Sequence, residues 1–139
     1  MDRMKIEENS DVTGTFTGVI DGIPFSANVL NVNFANPQFH IYGVQEVGER
    51  KFTSLYFNFK SDGTADGATF DRLQYQSLDG FDFITAETSE SEAVTIDFNV
   101  AAGTYDASFK GVLTGPGVKL NIDCEFNLTK KVKDKSSAH

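Results

Sequence analysis

Apolar and polar residues alternate through the last third of the chain. Residues 93 to 100 carry Val94, Ile96, Phe98 and Val100 with Thr95, Asp97 and Asn99 between them, and period two over that length predicts a half-buried strand. The alternation resumes through Tyr105, Ala107, Phe109, Gly111 and Leu113, and again through Val118, Leu120, Ile122, Cys124, Phe126 and Leu128. Residues 101–104 separate the first two runs. Thr114-Gly115-Pro116-Gly117 separates the last two, and Pro followed by Gly is type II turn chemistry. The three runs predict an antiparallel meander. With four-residue loops, Val100 faces Tyr105, Leu113 faces Val118, and Phe109 faces both Ile96 and Ile122. Every large apolar side chain then lies on one face, and a one-residue slip would turn that set into water.

The N-terminal end shows a tighter version of the same pattern. Phe16, Gly18 and Ile20 precede Asp21-Gly22, and Ile23, Phe25 and Ala27 follow; Asp-Gly between alternating runs is the strongest short hairpin signal. Ile20 and Ile23 then exchange hydrogen bonds, which leaves Pro24 facing away from its partner strand and puts the strand of Phe25 at or near a sheet edge. Gly18 faces Phe25 and Gly111 faces Leu120 in this register, pairing a missing side chain with a large one. In the middle of the chain, residues 38–45 and 52–59 flank Gly48, and residues 69–77 and 81–84 flank Asp79-Gly80. Thr85 to Glu92 reads as a polar, acidic loop. About nine strands with a turn every ~8 to 12 residues predict an antiparallel β-sandwich, with a closed β-barrel as the alternative.

Composition fits one domain over residues 13–129. Residues 1–12 read as a flexible lead-in and residues 130–139 as a disordered, Lys-rich tail. A chain of 139 residues buries roughly two thirds of its unfolded surface and needs no disulfides. Its single Cys124 falls on the apolar parity of its strand, as a small core residue does. The N-terminus lacks the apolar stretch of a secretory signal, and no run reaches membrane-spanning length, which gives a cytoplasmic location by default, and an extracytoplasmic one if a signal has been trimmed away. The net charge of −8 is uneven: residues 130–139 hold four of the 12 Lys/Arg and one of the 20 Asp/Glu, leaving a tail of +3 on a body of −11. That body excludes nucleic acid as a partner, since phosphate neutralisation needs clustered Lys and Arg.

Three constellations carry candidate chemistry. Asp62, Asp66 and Asp71 in and after the loop Asp62-Gly63-Thr64-Ala65-Asp66-Gly67 could offer oxygen ligands to Ca²⁺. The EF-hand pattern is incomplete, however, with Thr64 and Leu73 where the third and twelfth ligands belong. Asp-Gly pairs also serve plain turns. In the meander, outward rows read Asp97, Ser108, Asp123 and Asn99, Asp106, Glu125, gathering four carboxylates on one patch. Like charges directly opposite destabilise a strand pair unless a cation, a basic partner or solvent compensates. The third constellation is aromatic: if Phe39 and Ile41 face the core, His40 and Tyr42 lie outside beside Tyr56, and rings with polar tips suit a peptide or sugar contact.

No catalytic or cofactor motif stands out: the chain lacks a Gly-x-Ser-x-Gly elbow, Cys/His metal spacing and a phosphate loop. The preferred reading is a non-enzymatic recognition or structural module that presents an acidic face or an edge strand to another protein, to a surface glycan or to itself. The alternative is a small barrel that carries an apolar ligand between Phe57, Phe59, Phe98 and Phe109. In length and strand count the chain resembles the lipocalin and fatty-acid-binding class, although Gly14-Thr15-Phe16 has Phe in place of the usual Trp. A glycan-active enzyme using two carboxylates is the third reading, and it requires a pocket that raises one pKa.

Overall fold

The computed structural model describes residues 11–35, 37–64 and 67–131. It is all β, with nine antiparallel strands: β1 (Val12–Ile20), β2 (Ile23–Ser26), β3 (Val29–Ala35), β4 (Gln38–Gly48), β5 (Lys51–Ser61), β6 (Ala68–Asp79), β7 (Asp82–Asn99), β8 (Thr104–Gly115) and β9 (Val118–Lys130). They form one sheet in the order β2-β1-β9-β8-β7-β6-β5-β4-β3. Its two edge strands do not pair with each other, so the barrel alternative is corrected: the sheet is open.

The sheet nevertheless folds over on itself into a sandwich-like shape. Strands β1 and β5 are five places apart, which in a flat sheet means about 24 Å. Phe16 of β1 and Phe57 of β5 have ring centroids only 5.8 Å apart. Two corners make this possible. At one, β2 pairs with β1 and β3 with β4, and only Ala27-Asn28 lies between them. The Ala27 N–H still donates to the Phe16 carbonyl (3.0 Å), whereas the Asn28 N–H already donates to Val44 (2.8 Å), so the chain changes neighbours within one peptide unit. At the other corner, β7 pairs with β6 only up to Glu87 and with β8 from Glu87 to Asn99. Register shifts leave Ser89 and Glu92 without ladder partners, and such bulges bend a strand from one layer to the next. Thr88 completes the broken ladder, its hydroxyl donating to the Leu73 carbonyl and accepting from the Leu73 N–H (3.1 and 2.7 Å).

Between the layers lies a core in which phenylalanine is the commonest residue, set among Val, Ile, Leu and Ala. Phe59 touches Phe98 edge-on at 5.1 Å, Phe57 meets Phe126 at 5.3 Å, and Phe70 stacks on Phe109 at 5.1 Å. Thirteen Phe and no Trp supply rings of one size, whose edge-to-face contacts contribute about 0.5–1.5 kcal/mol each beyond their area. Cys124 is buried among them, and burial, followed by the charges of Asp123 and Glu125, pushes its thiol pKa far up. It is a packing residue.

Several sequence expectations are corrected in detail. Phe98, not Val100, faces Tyr105, Leu113 faces Leu120, and Phe109 lies between Val94 and Cys124. Val100 is in the turn, where Asn99 Oδ1 accepts from the Ala102 N–H and Gly103 takes φ 78°. The next turn needs only Pro116-Gly117, with Gly117 at φ 70°. Both ladders thus slip by two residues, which preserves parity and the buried set. Gly111 consequently faces Ile122, not Leu120. Thr85–Glu92 is not a loop but the bulged middle of β7, so the two short runs around it are one strand; β3, unforeseen, restores the count. The Asp21-Gly22 hairpin stands as expected, with φ 53° and 83°, and Pro24 lies on the edge strand β2. Lys130 ends β9 instead of opening a tail, Val12 begins β1 instead of ending a lead-in, and the Lys131 N–H donates to Asp11 (2.8 Å). Residues 1–10 and 132–139 lie outside the described residues.

The inter-layer spacing yields a test. A Cβ on Gly43 would stand 2.7 Å from the Phe16 ring and 2.9 Å from Ala27 Cβ, and Phe16 is fully buried. Gly43→Ala is expected to lower unfolding free energy by about 1–3 kcal/mol through overpacking, read as the shift in urea midpoint; an unchanged midpoint would mean that the corner is loose.

Candidate recognition site

The sheet opens beside the first corner. Below Phe16 no described strand lies on the outer side of the N-terminal half of β1, and none lies along the outer edge of β3. The two edges diverge from Ala27-Asn28 and leave a groove of about 590 Å³ lined by Asp11, Val12, Asn31, Val32, Asn33 and Ala35, with His40, Tyr42, Tyr56 and Lys130 completing the wall. Lys130 stands opposite Val12 at the end of β9. Its ammonium crosses the groove to donate to the Val32 carbonyl at 2.8 Å.

Next to this groove the aromatic constellation is assembled by strand parity. Phe39 and Ile41 are buried, so His40 and Tyr42 point outward on β4, and Tyr56 stands directly opposite Tyr42 on β5. The two tyrosine rings stack at 5.7 Å and 15°. Tyr56 Oη and His40 Nδ1 are hydrogen bonded at 2.8 Å, which fixes both rings. The rows run Asn33–His40–Asn58–Arg72 and Asn31–Tyr42–Tyr56–Gln74. All three rings are half-buried, exposing a flat apolar strip with amides along one side. Farther along, Tyr42 and Tyr56 also line a shallower depression with Val44, Phe52 and Ser54.

Sequence reasoning did not single out Asn58 or Lys130. Asn58 is 5% exposed and its Oδ1 has no hydrogen-bond partner among the described residues, although it sits between His40 and Arg72 on the outward parity. Its signal was an amide interrupting Leu55-Tyr56-Phe57-Asn58-Phe59. An amide oxygen without a donor in such a place costs about 1–3 kcal/mol.

The other constellations are arranged differently. The expected acidic rows are replaced, by the two-residue slip, with Thr95–Ser108–Glu125 and Asp97–Asp106–Asn127. Asp97 and Asp106 are thus the like-charge pair directly opposite, while Thr95 and Ser108 share a 2.6 Å hydrogen bond. Asp123 stands opposite Lys110, a residue of opposite charge. In the Asp-Gly loop, Asp62 Oδ1 accepts from the Thr64 N–H (2.9 Å) and hydroxyl (2.7 Å), an Asx turn. Gly67 packs against the same carboxylate. Asp71 is exposed and sits at the bulge between the Asn58–Arg72 and Phe59–Phe70 pairs. Asp66 lies outside the described residues. Among the described residues no group of three acidic, His or Cys side chains converges as a metal site would, and no helix is long and apolar enough to cross a membrane.

Comparison with protein-family models, with curated proteins and with solved structures finds no match for this chain.

Two measurements follow from these contacts. Tyr56→Phe removes the bond to His40 while keeping the stack, and should lower stability by about 0.5–1.5 kcal/mol in chemical denaturation; no change would mean that water replaces the hydroxyl. The Thr64 hydroxyl, followed by its N–H, holds the Asp62 carboxyl below its ordinary value. A depressed carboxylate pKa favours the folded loop above that ordinary value, and the gain disappears as pH falls through the depressed one. In a carboxyl-detected NMR titration, Thr64→Ala should move the Asp62 midpoint upward; an unmoved midpoint would remove the hydroxyl as the cause.

Proposed function

We propose that this domain is a non-enzymatic recognition module that binds another protein at the groove between β1 and β3 and along the adjoining His40, Tyr42 and Tyr56 strip. The observation that carries this reading is the stacked tyrosine pair, locked by His40, beside an open sheet edge. Half-buried aromatic rings with polar tips, already fixed in place, lose little side-chain entropy on binding and are the usual anchors of protein interfaces. The acidic body supplies long-range steering towards a basic partner surface.

Two features of the interior weigh against the other readings. Phe57, Phe59, Phe98 and Phe109, the rings a carrier would hold apart around its ligand, lie 5.1–6.4 Å from their neighbours. The described carboxylates are exposed or half-buried, a poor setting for a glycosidase acid that needs a raised pKa.

The test compares immobilised protein with its Tyr42→Ala/Tyr56→Ala variant in quantitative capture from the native extract, with a glycan array run in parallel. Protein partners retained by the wild type and reduced at least about tenfold by the variant support the reading, that factor matching the loss of one anchor of ~1.4 kcal/mol. Equal capture by both proteins would refute it. Array binding that the variant loses would turn the same site into a glycan site.

A further inference from the structure

The backbone of the groove identifies how a partner could be held. In an antiparallel pair, the N–H and C=O of one residue point to the same side. The Val32 carbonyl faces Lys130 and not β4, so Leu30, Val32 and Phe34 all present their backbone groups to the outer edge of β3. On the other wall, the Phe16 carbonyl is turned towards Ala27, and Val12 and Gly14 share its direction. No described strand pairs with either set.

The two corners treat their open edges differently. At the β6–β7 corner Thr88 closes the ladder itself, donating and accepting at Leu73. At the β2–β3 corner the cap seen on the β3 edge among the described residues is the ammonium of Lys130, which satisfies one carbonyl and no N–H. Lysine on an edge is a common guard against unwanted pairing, and a guard on a long side chain can be displaced.

We propose that the groove accepts an extended segment of a partner protein as an added strand on β3, with a carboxylate of that segment paired to the displaced Lys130 ammonium. This mode rests on the reading of the domain as a protein-recognition module. An added strand supplies its own N–H to Val32, and the freed ammonium, no longer bonded to a carbonyl, takes a carboxylate in its place. Core-side residues of the segment lie beside Val12 and Val32, where apolar side chains fit, and outward ones lie beside Asn31 and Asn33. Asp11 at the groove disfavours a long acidic run, so the segment carries its carboxylate among neutral residues.

The experiment uses the full chain and three capped heptapeptides: Thr-Val-Thr-Glu-Thr-Val-Thr, the same peptide with Lys for Glu, and the Glu peptide N-methylated at alternate amides. Amide exchange is followed residue by residue by NMR at about 10 mM peptide, roughly ten times the Kd of about 1 mM expected of weak binding, so that about nine sites in ten are filled. The Glu peptide should slow exchange at Leu30, Val32 and Phe34 at least about tenfold, with about tenfold weaker binding of the Lys peptide and none of the methylated one. Lys130→Met should abolish the preference for Glu over Lys without affecting folding, checked by circular dichroism. Unchanged edge amides, or equal binding of the methylated peptide, would overturn strand addition. Shifts confined to the His40, Tyr42 and Tyr56 rings would also overturn it, yet leave protein recognition at this site standing. The recognition reading fails separately, when capture is indifferent to Tyr42 and Tyr56.

Discussion

A single sheet with one apolar face has to bring that face against itself, and strand hydrogen bonding resists the sharp bend this requires. The domain meets that constraint by letting strands change partners at two corners. At one, Ala27 bonds to β1 and Asn28 to β4; at the other, β7 leaves β6 after Glu87 and continues on β8 through bulges at Ser89 and Glu92. Everything else depends on these two events. They bring Phe16 and Phe126 against Phe57, and Phe98 against Phe59, and they also create edges that no described strand covers. The packed core and the open groove thus have one origin: the bend that closes the first leaves the second.

The two corners show how differently an open edge can be treated. A threonine hydroxyl completes the ladder at Leu73 from the bend of the neighbouring strand β7, whereas a lysine from a distant strand reaches Val32 across the gap. The first is short, rigid and local. The second is long, costs rotamer entropy of up to about 2 kcal/mol to hold in place, and is tied to a residue 98 positions away in sequence. Two neighbouring features, the locked Tyr42–Tyr56–His40 set and the buried Asn58 amide, likewise belong to the outer surface of β4 and β5 and not to the core. That surface carries more fixed side-chain geometry than a merely solvated face requires.

Local alternation made much of the architecture legible. Parity put Phe39 and Ile41 on one face of their strand and His40 and Tyr42 on the other without deciding which face is the core, a choice that the burial of Phe39 and Ile41 makes, and Asp21-Gly22 located its hairpin. Turn length was harder to read. Val100 looks like the last residue of a strand, but Asn99 and Gly103 draw it into the turn, so the acidic residues acquire different opposite numbers: Asp106 faces Asp97, and Glu125 faces Ser108. Thr85–Glu92 reads as a loop because its charge hides the strand. Bulges also break its alternation, and the backbone pairing that holds it comes from β8, far along the chain. The groove was not legible at all. It arises where β1 and β3 diverge, and Val12, Val32 and Lys130 have no periodic relation in sequence.

The Lys131–Asp11 hydrogen bond gives this arrangement a mechanical side. Strands β1 and β9 are antiparallel neighbours, and the described chain enters the first and leaves the last at the same point. Tension applied across residues 11 and 131 would therefore act on one hydrogen-bonded rung at a time, peeling β1 from β9 like a zipper instead of shearing the ladder as a whole. The first rungs to part would be those of Val12 and Lys130, which also flank the groove. A domain held by its two ends would yield first at the very place where its sheet is already incomplete.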